Sequence, residues 1–415
     1  MNEKEIFEQY KFWSRLRFEQ DGRAILSPTT AEDAAEITER LKNSEIPSES
    51  EPSDLPSIVK LCEFGIKPVP VVDKDKVYGA LVGRFAGCVL GVPVEGWKQD
   101  EMRSLAKDGG TPFPPTEYWH TVKNPDGIQY GVNRRDEYTL SKMNCVPVDD
   151  DVTYTILNFL LLKEYGLSYS LEDVAKLWKA VVPYACTAED CAIRNIRAGV
   201  PAEKVAEGNP FIEWIGAAIR ADAFGYAYAG DPVGAAKLCY NDAYLTHRRN
   251  GIYGEMFCAA AVASAFKTKT ALEALKEAIK CVPKGSRLYN DLVWAFRSEG
   301  KFDDYITARK LLDERFDGMS SVHTDNNMCA IVFAVMLGKN DLTLSIANAV
   351  AIGLDNDCTA ATVGSIVGAN VGLKKVDKKW YAPFNDAVTT YLTGYEKLSL
   401  NYLADEFISL RKKSL

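Results

Sequence analysis

The sequence predicts an all-α fold, and three observations predict it. Apolar residues recur at helical spacing from Tyr78 onward. Few runs show the two-residue alternation or β-branched richness that a sheet needs. Helix punctuation is legible too: in Ser170-Leu171-Glu172-Asp173, Ser170 can cap a helix running through Val182, Asp173 takes the reciprocal position, and Pro183 ends the run. The chain has 415 residues, of which 47% are hydrophobic, enough to build a real core in one large domain or in two to three ordinary ones.

In chain order, residues 1–75 read as an N-terminal helical appendage and linker. Their charged helical stretches end at Pro47 to Ser57, a segment whose Pro, Ser and Glu content disfavours packing. Residues 76–375 form the helical body and 376–415 a C-terminal helical extension. Within the body, helical blocks are expected over Ile156–Tyr165, Phe211–Tyr228, Asp231–Thr246, Gly254–Lys267, Leu272–Val282, Asn326–Leu337 and Thr359–Gly372. No strict repeat is visible, which disfavours a solenoid. The stretch Gly109–Val148 lacks helical periodicity and carries Tyr118, Trp119 and Tyr130; it reads equally as a lid that could stack an adenine and as a plain surface loop.

A formal net charge of −8 argues against an extended nucleic-acid surface, which needs clustered Lys and Arg. The most apolar run, Tyr78 to Val94, is broken by Arg84 and Pro93, so no membrane span is expected. The opening MNEKEIFEQYKFW does not read as a signal peptide, and a cytoplasmic address follows as an expectation. The ten cysteines are scattered without CxxC spacing, and they read as reduced, buried thiols.

Two stripes of small residues stand out. Gly79, Gly83, Gly87 and Gly91 recur every fourth residue, as do Ala360, Gly364, Gly368 and Gly372. Interior glycines cost up to about 1 kcal/mol each in helix propensity, so such stripes suit the close approach of another backbone. Acidic groups attach to their ends. Asp149, Asp150 and Asp151 lead into the apolar Ile156–Tyr165 run; one carboxylate suffices as a helix cap, and three adjacent ones call for a cation or a very wet surface. Asp355-Asn356-Asp357 opens the second striped helix. It resembles the start of a calcium loop, but Ala360 and Ile366 stand where that loop wants Gly and Glu. Oxygen-only ligands favour magnesium or manganese. Glu95 follows the first stripe, beside Trp97 on the turn made by Pro93; it is read either as an acid/base group or as ordinary surface or a cap.

These motifs resemble the ADP-ribosylglycohydrolase family. The match rests on GALVGRFAGCVLGVPVEGW (Gly79 to Trp97), DDDVTYT, WIGAAIR (Trp214 to Arg220), YLTH (Tyr244 to His247) and GLDNDCTAATVGSIVGANVG (Gly353 to Gly372), in family order over residues 78–373. The resemblance implies a compact multi-helix orthogonal bundle with a central cleft for two Mg2+ ions, Mn2+ being an alternative. It implies metal ligands Asp150, Asp151, Asp355 and Asp357, with Asp149 where the family commonly has a threonine. Glu95 takes the catalytic glutamate's place, with Asp151 sharing in catalysis, and Gly216 and His247 border the ADP-ribose. The implied reaction is hydrolysis of the glycosidic bond that links ADP-ribose to a protein, nucleic-acid or small-molecule acceptor. Cys358 departs from the family's usual Thr or Ser, Trp214 and Ile215 from the small and polar residues of its substrate loop, and Asn356 from the residue between its aspartates. Alternative readings are a metal-dependent nucleotide phosphohydrolase, a non-catalytic ADP-ribose-binding protein, and, last, a purely structural helical protein.

Overall fold

The helical periodicity resolves, in a computed structural model of the protein, into helices joined by connections of very different length, with only two two-stranded ribbons among the described residues. The structure describes residues 2–21, 28–43 and 50–415. Helices α1 (Glu3–Asp21) and α2 (Ala31–Asn43) pack against each other, and α3 (Leu55–Leu61) starts at Asp54, whose carboxylate accepts from Ser57 N. The first three residues of the expected linker, Pro47, Ser48 and Glu49, lie outside the described residues, but from Ser50 onward it is docked on the body. Glu51 pairs with Arg249 at 2.9 Å, and Ser53 O accepts from Tyr240 Oη at 2.9 Å. Composition disfavours this packing; one buried carboxylate and a few main-chain carbonyls achieve it.

Helix α4 (Lys74–Gly91) begins at Asp73, which caps the N–H groups of Asp75 and Lys76. With the turn that follows it, α4 is long and apolar enough by composition to cross a bilayer, yet it is buried almost throughout by protein. After α5 (Gln99–Gly109), a long stretch without α-helix holds one antiparallel ribbon, β1 (Ile128–Gln129) with β2 (Asn133–Arg134), and a 3-10 turn, Arg135–Tyr138. Its base is anchored: Trp119 Nε1 donates to Leu90 O at 2.8 Å, and Tyr118 Oη to Trp380 O at 2.7 Å. Then comes α6 (Asp150–Tyr165), buried from Asp151 to Leu162.

The capped helix is α7 (Leu171–Val181); Ser170 and Asp173 cap reciprocally, and Val174, Leu177, Trp178 and Val181 form its buried face. α8 (Thr187–Arg197) follows. The Phe211–Tyr228 block is not one helix but a 3-10 segment, Ile215–Arg220, followed by α9 (Asp222–Ala227). Its start is held instead in a short bridge between Trp214 and His323, with Ile215 N donating to Val322 O at 3.0 Å. The Asp231–Thr246 block divides at Cys239 into α10 (Pro232–Leu238) and α11 (Tyr240–Thr246). α12 (Asn250–Ala265) is buried at every residue, as expected for a helix at the centre of a bundle. Around it lie α13 (Ala271–Ala278), α14 (Arg287–Phe296), α15 (Tyr305–Arg315), α16 (Thr324–Gly338) and α17 (Leu342–Ile352).

The second striped helix is α18 (Asn356–Val371), and its most extensive partner is α4. The stripes face each other in antiparallel order. A Cβ at Gly83 would lie 2.0 Å from Gly364 O, one at Gly87 2.0 Å from Ala360 O, and one at Gly91 2.3 Å from Asp357 Cα. The chain closes with ribbon β3 (Ala387–Thr389) and β4 (Lys397–Ser399) and helix α19 (Leu400–Lys413), which lies on α4 and α9. Phe407 packs against Phe159 and Tyr226, and buried Arg411 donates from Nε to Ala229 O at 2.9 Å.

Candidate metal centre and active site

The seam between α4 and α18 decides where the acidic groups meet. Because the helices run antiparallel, the C-terminal end of α4, with the Val92–Val94 turn and Glu95 beyond it, lies over the N-terminus of α18 at Asp355 and Asp357. Asn356 fastens the two together, its Nδ2 donating to Val94 O at 3.3 Å and to Val350 O at 3.1 Å. The N-terminus of α6 brings in the third stretch.

The six predicted carboxylates form one continuous cluster. Three groups each have ligand atoms within 4.8 Å of one another: Asp149, Asp150 and Asp151; Asp151, Asp357 and Cys358; and Glu95, Asp355 and Asp357. Asp151 and Asp357 each belong to two groups and so link all three. Asp149 serves as the cap of α6 through one oxygen, which accepts from Asp151 N at 2.9 Å, while its Oδ2 is buried without a partner. Asp357 Oδ1 is likewise buried and unpartnered. Such oxygens are costly to bury unless a cation or proton meets them.

Crowding shows in proton affinities. Partial burial, and then the charges of Asp355, Asp150 and Asp151, push Glu95 up to about 8, against the pull of Arg135. Burial raises Asp151 to about 7 despite Arg84, and Asp355 to about 6. Asp149 and Asp357 are pushed well above the carboxylate range, by burial first and neighbouring carboxylates next, and Asp150 is raised by burial against the opposing hydrogen bond from Tyr130. Glu95 is the member that reaches solvent, at the rim; the others are buried or half-buried.

Three neighbours, Arg84, Tyr130 and Asn327, were not singled out for this site from the sequence, while Cys358 was noted there as a departure from the family's Thr or Ser. Arg84, counted there only as a break in an apolar run, is fully buried; it pairs with Asp151 at 2.7 Å and Asp222 at 2.9 Å and also donates to Thr155 Oγ1 and Ile219 O. A lone charge inside a striped apolar helix is itself the signal, since a buried charge requires a partner. Tyr130, at the ribbon tip with φ of 51°, donates from Oη to Asp150 Oδ1 at 2.8 Å, and its ring stacks on Tyr391. Asn327 accepts Asp355 N through Oδ1 at 3.2 Å. Cys358 Sγ donates to Asp151 Oδ2 at 3.0 Å.

The predicted substrate loop borders a second buried network. Gly216 sits in the 3-10 segment, where a Cβ would lie 2.4 Å from Glu189 Oε1. Glu189, Asp242 and Thr246 all bond Arg220. His247 is enclosed by protein, its Nδ1 at 2.6 Å from Thr246 Oγ1 and its Nε2 unpartnered. Burial, and then Arg220, push the imidazole well below its ordinary range. His323 is also enclosed and caps α16 by accepting Asp325 N, whereas His120 lies at the surface on Gly109 O and Glu117.

The ADP-ribosylglycohydrolase family model matches residues 70–414 of the chain. A solved structure described as an ADP-ribosylglycohydrolase-related protein complex superposes with a TM-score of 0.51 at 17% identity, over 82% of this chain and 99% of that one; at this identity the likeness shows the fold alone. No curated protein matches the chain. With the family match running from just before the first striped helix to the end of the last helix, the chain belongs to the ADP-ribosylglycohydrolase family, in its all-α fold.

Proposed function

We propose that this family member hydrolyses the N- or O-glycosidic bond that joins ADP-ribose to a protein side chain or another acceptor, in a reaction that depends on magnesium. The observation that supports this most is the meeting of Glu95 with five aspartates from two distant stretches, two of which bury an unpartnered oxygen. The donor set fits hard divalent cations: Asp149, Asp150, Asp151, Asp355 and Asp357 would hold two Mg2+, with Mn2+ as a substitute. When bound, such ions supply Lewis-acid orientation of ribose hydroxyls and lower the proton affinity of a water.

The chain's own residues do the rest. Glu95, at the rim and with its proton affinity raised, gives a proton to the leaving atom or takes one from the attacking water. Asp151 shares in catalysis by orienting that water from the opposite, buried side, held in place by Arg84. Gly216, bare of a side chain, offers main chain to the ADP-ribose, and enclosed His247 acts through the loop that carries Gly216. A cytoplasmic setting is part of the same proposal.

The test is incubation with arginine-, serine- and nucleic-acid-linked ADP-ribose, with magnesium or with a chelator, followed by separation of products. Free ADP-ribose formed only with magnesium is expected; release of phosphate or a mononucleotide would replace the reading with a phosphohydrolase. Glu95→Gln should keep magnesium affinity within a few-fold and lower turnover by roughly a hundredfold or more. Unchanged turnover removes Glu95 from the chemistry.

A further inference from the structure

We propose that one corner of the cluster, formed by Asp151, Asp357 and Cys358, is a mixed sulfur and oxygen site that takes a borderline divalent cation of the zinc or cobalt class in preference to magnesium. The inference rests on the reading of the cluster as a metal centre and adds which ion this corner selects. The opposite corner, Glu95 with Asp355 and Asp357, offers oxygen alone.

Three features of the corner converge. The ligand atoms of Asp151, Asp357 and Cys358 lie within 4.8 Å of one another, a separation that one ion with bonds of about 2.0–2.3 Å can span. Asp357 is 2% exposed and its Oδ1 has no hydrogen-bond partner, so this residue of the corner buries an oxygen that a cation would satisfy. Asp151 is fixed in orientation. Arg84 holds its Oδ1 at 2.7 Å, which leaves Oδ2 turned to Cys358, whose Sγ–H occupies it at 3.0 Å. That proton stands where a cation would bind.

Hardness decides which cation. Magnesium takes oxygen ligands in strict octahedral geometry and gains nothing from a sulfur, so in its presence Cys358 stays a thiol on Asp151. Zinc and cobalt bind thiolate and carboxylate together, and zinc and cobalt exceed manganese in intrinsic affinity at such sites. Cys358 lies in the first turn of α18, and burial together with the neighbouring carboxylates keeps it a thiol until a cation displaces its proton. On binding, the S–H bond breaks, the sulfur keeps the electron pair and donates it to the cation, and the proton leaves to solvent. No oxidation state changes. Two other thiols near the cluster lie outside this corner: Cys88 on α4, which interacts with Asp149, and Cys186, which feels the charges of Asp150 and Glu95.

Titration of the full chain with Co2+ tests the assignment. A near-ultraviolet thiolate-to-cobalt charge-transfer band saturating at one ion per chain is expected, lost in Cys358→Ser and retained in Cys88→Ser. Competition calorimetry should show zinc affinity falling about tenfold or more in Cys358→Ser, the scale on which altered ligation changes metal binding, with magnesium affinity unchanged. Magnesium binding without any thiolate band in the wild-type chain would overturn the inference and leave Cys358 a hydrogen-bond donor only. A band that survives Cys358→Ser would place the sulfur elsewhere and overturn it as well. Failure of every divalent ion to bind would instead overturn the metal centre itself. Absence of the band in the wild-type chain overturns the inference whether or not a variant folds, and Cys358→Ala replaces Cys358→Ser if the latter does not.

Discussion

Arg84 interrupts an otherwise apolar helix, and an unpaired guanidinium there would cost several kcal/mol in desolvation. Asp151 and Asp222 offset that cost, and the pairing fixes Asp151 beneath the other carboxylates. The remaining acids have too few counter-charges, which gives the metal-free chain a definite pH dependence. Glu95, Asp151 and Asp355 stand at about 8, 7 and 6, raised chiefly by burial from the 4.5 and 3.8 of free side chains. The folded state therefore binds more protons than the unfolded one. Their favourable share of stability is complete below about pH 4 and is lost progressively as pH climbs from there to about 8. We expect Tm of the metal-stripped protein to fall across that interval and saturating magnesium to abolish the fall; a flat profile for the stripped protein would show that these carboxyls titrate normally. At this scale the sequence revealed much. Consecutive or alternate aspartates are visible as such, and Asp149, Asp150, Asp151, Asp355 and Asp357 do meet. Arg84, Tyr130 and Asn327 were harder to place because each gains its meaning from a partner on another element.

Among the elements, the antiparallel pair α4 and α18 is the most demanding. Replacing Gly83 by Ala would ordinarily favour a helix by about 0.5–1 kcal/mol. Here the new Cβ would meet Gly364 O at 2.0 Å, main chain that cannot rotate away. Gly83→Ala should cost a net of about 1–3 kcal/mol or more, the penalty of overpacking a core, and should weaken magnesium binding as Asp357 shifts. Gly65→Ala, in an exposed loop with nothing within 4 Å, is the control for adding a methyl group without a clash. Thermal melts and calorimetry on both variants check this, and equal behaviour would mean that the seam yields without strain. The four-residue spacing made each stripe legible, but not which stripe faces which, since spacing carries no information about partners. The Phe211–Tyr228 block shows the converse limit: its composition suits a helix, while the bridge from Trp214 to His323 imposes another path.

For the molecule as a whole, the segment from Ser50 to Ser57 is a strap. Glu51 bonds Arg249 through Oε2 and accepts Arg287 N through Oε1 at 2.7 Å, joining the N-terminal residues to the turn after His247 and to the start of α14. Glu51→Ala should lower stability by about 1–3 kcal/mol, the cost of leaving buried donors unmet, and open residues 50–57 to protease. An unchanged melt and digestion pattern would reduce the strap to a passive surface segment. Average composition hid this docking, because the bonds come from single groups rather than from apolar content. The glycine seam has an effect at the same scale. Where two main chains touch directly, helix spacing is set by covalent geometry, and rotamer hops that blur distances elsewhere in a core have nothing to act on. Glu95, Asp355 and Asp357 at the end of that seam hang from a baseline without adjustable parts, so tuning for different acceptors falls to α6 and the loops around the mouth and not to the spacing of these three acids.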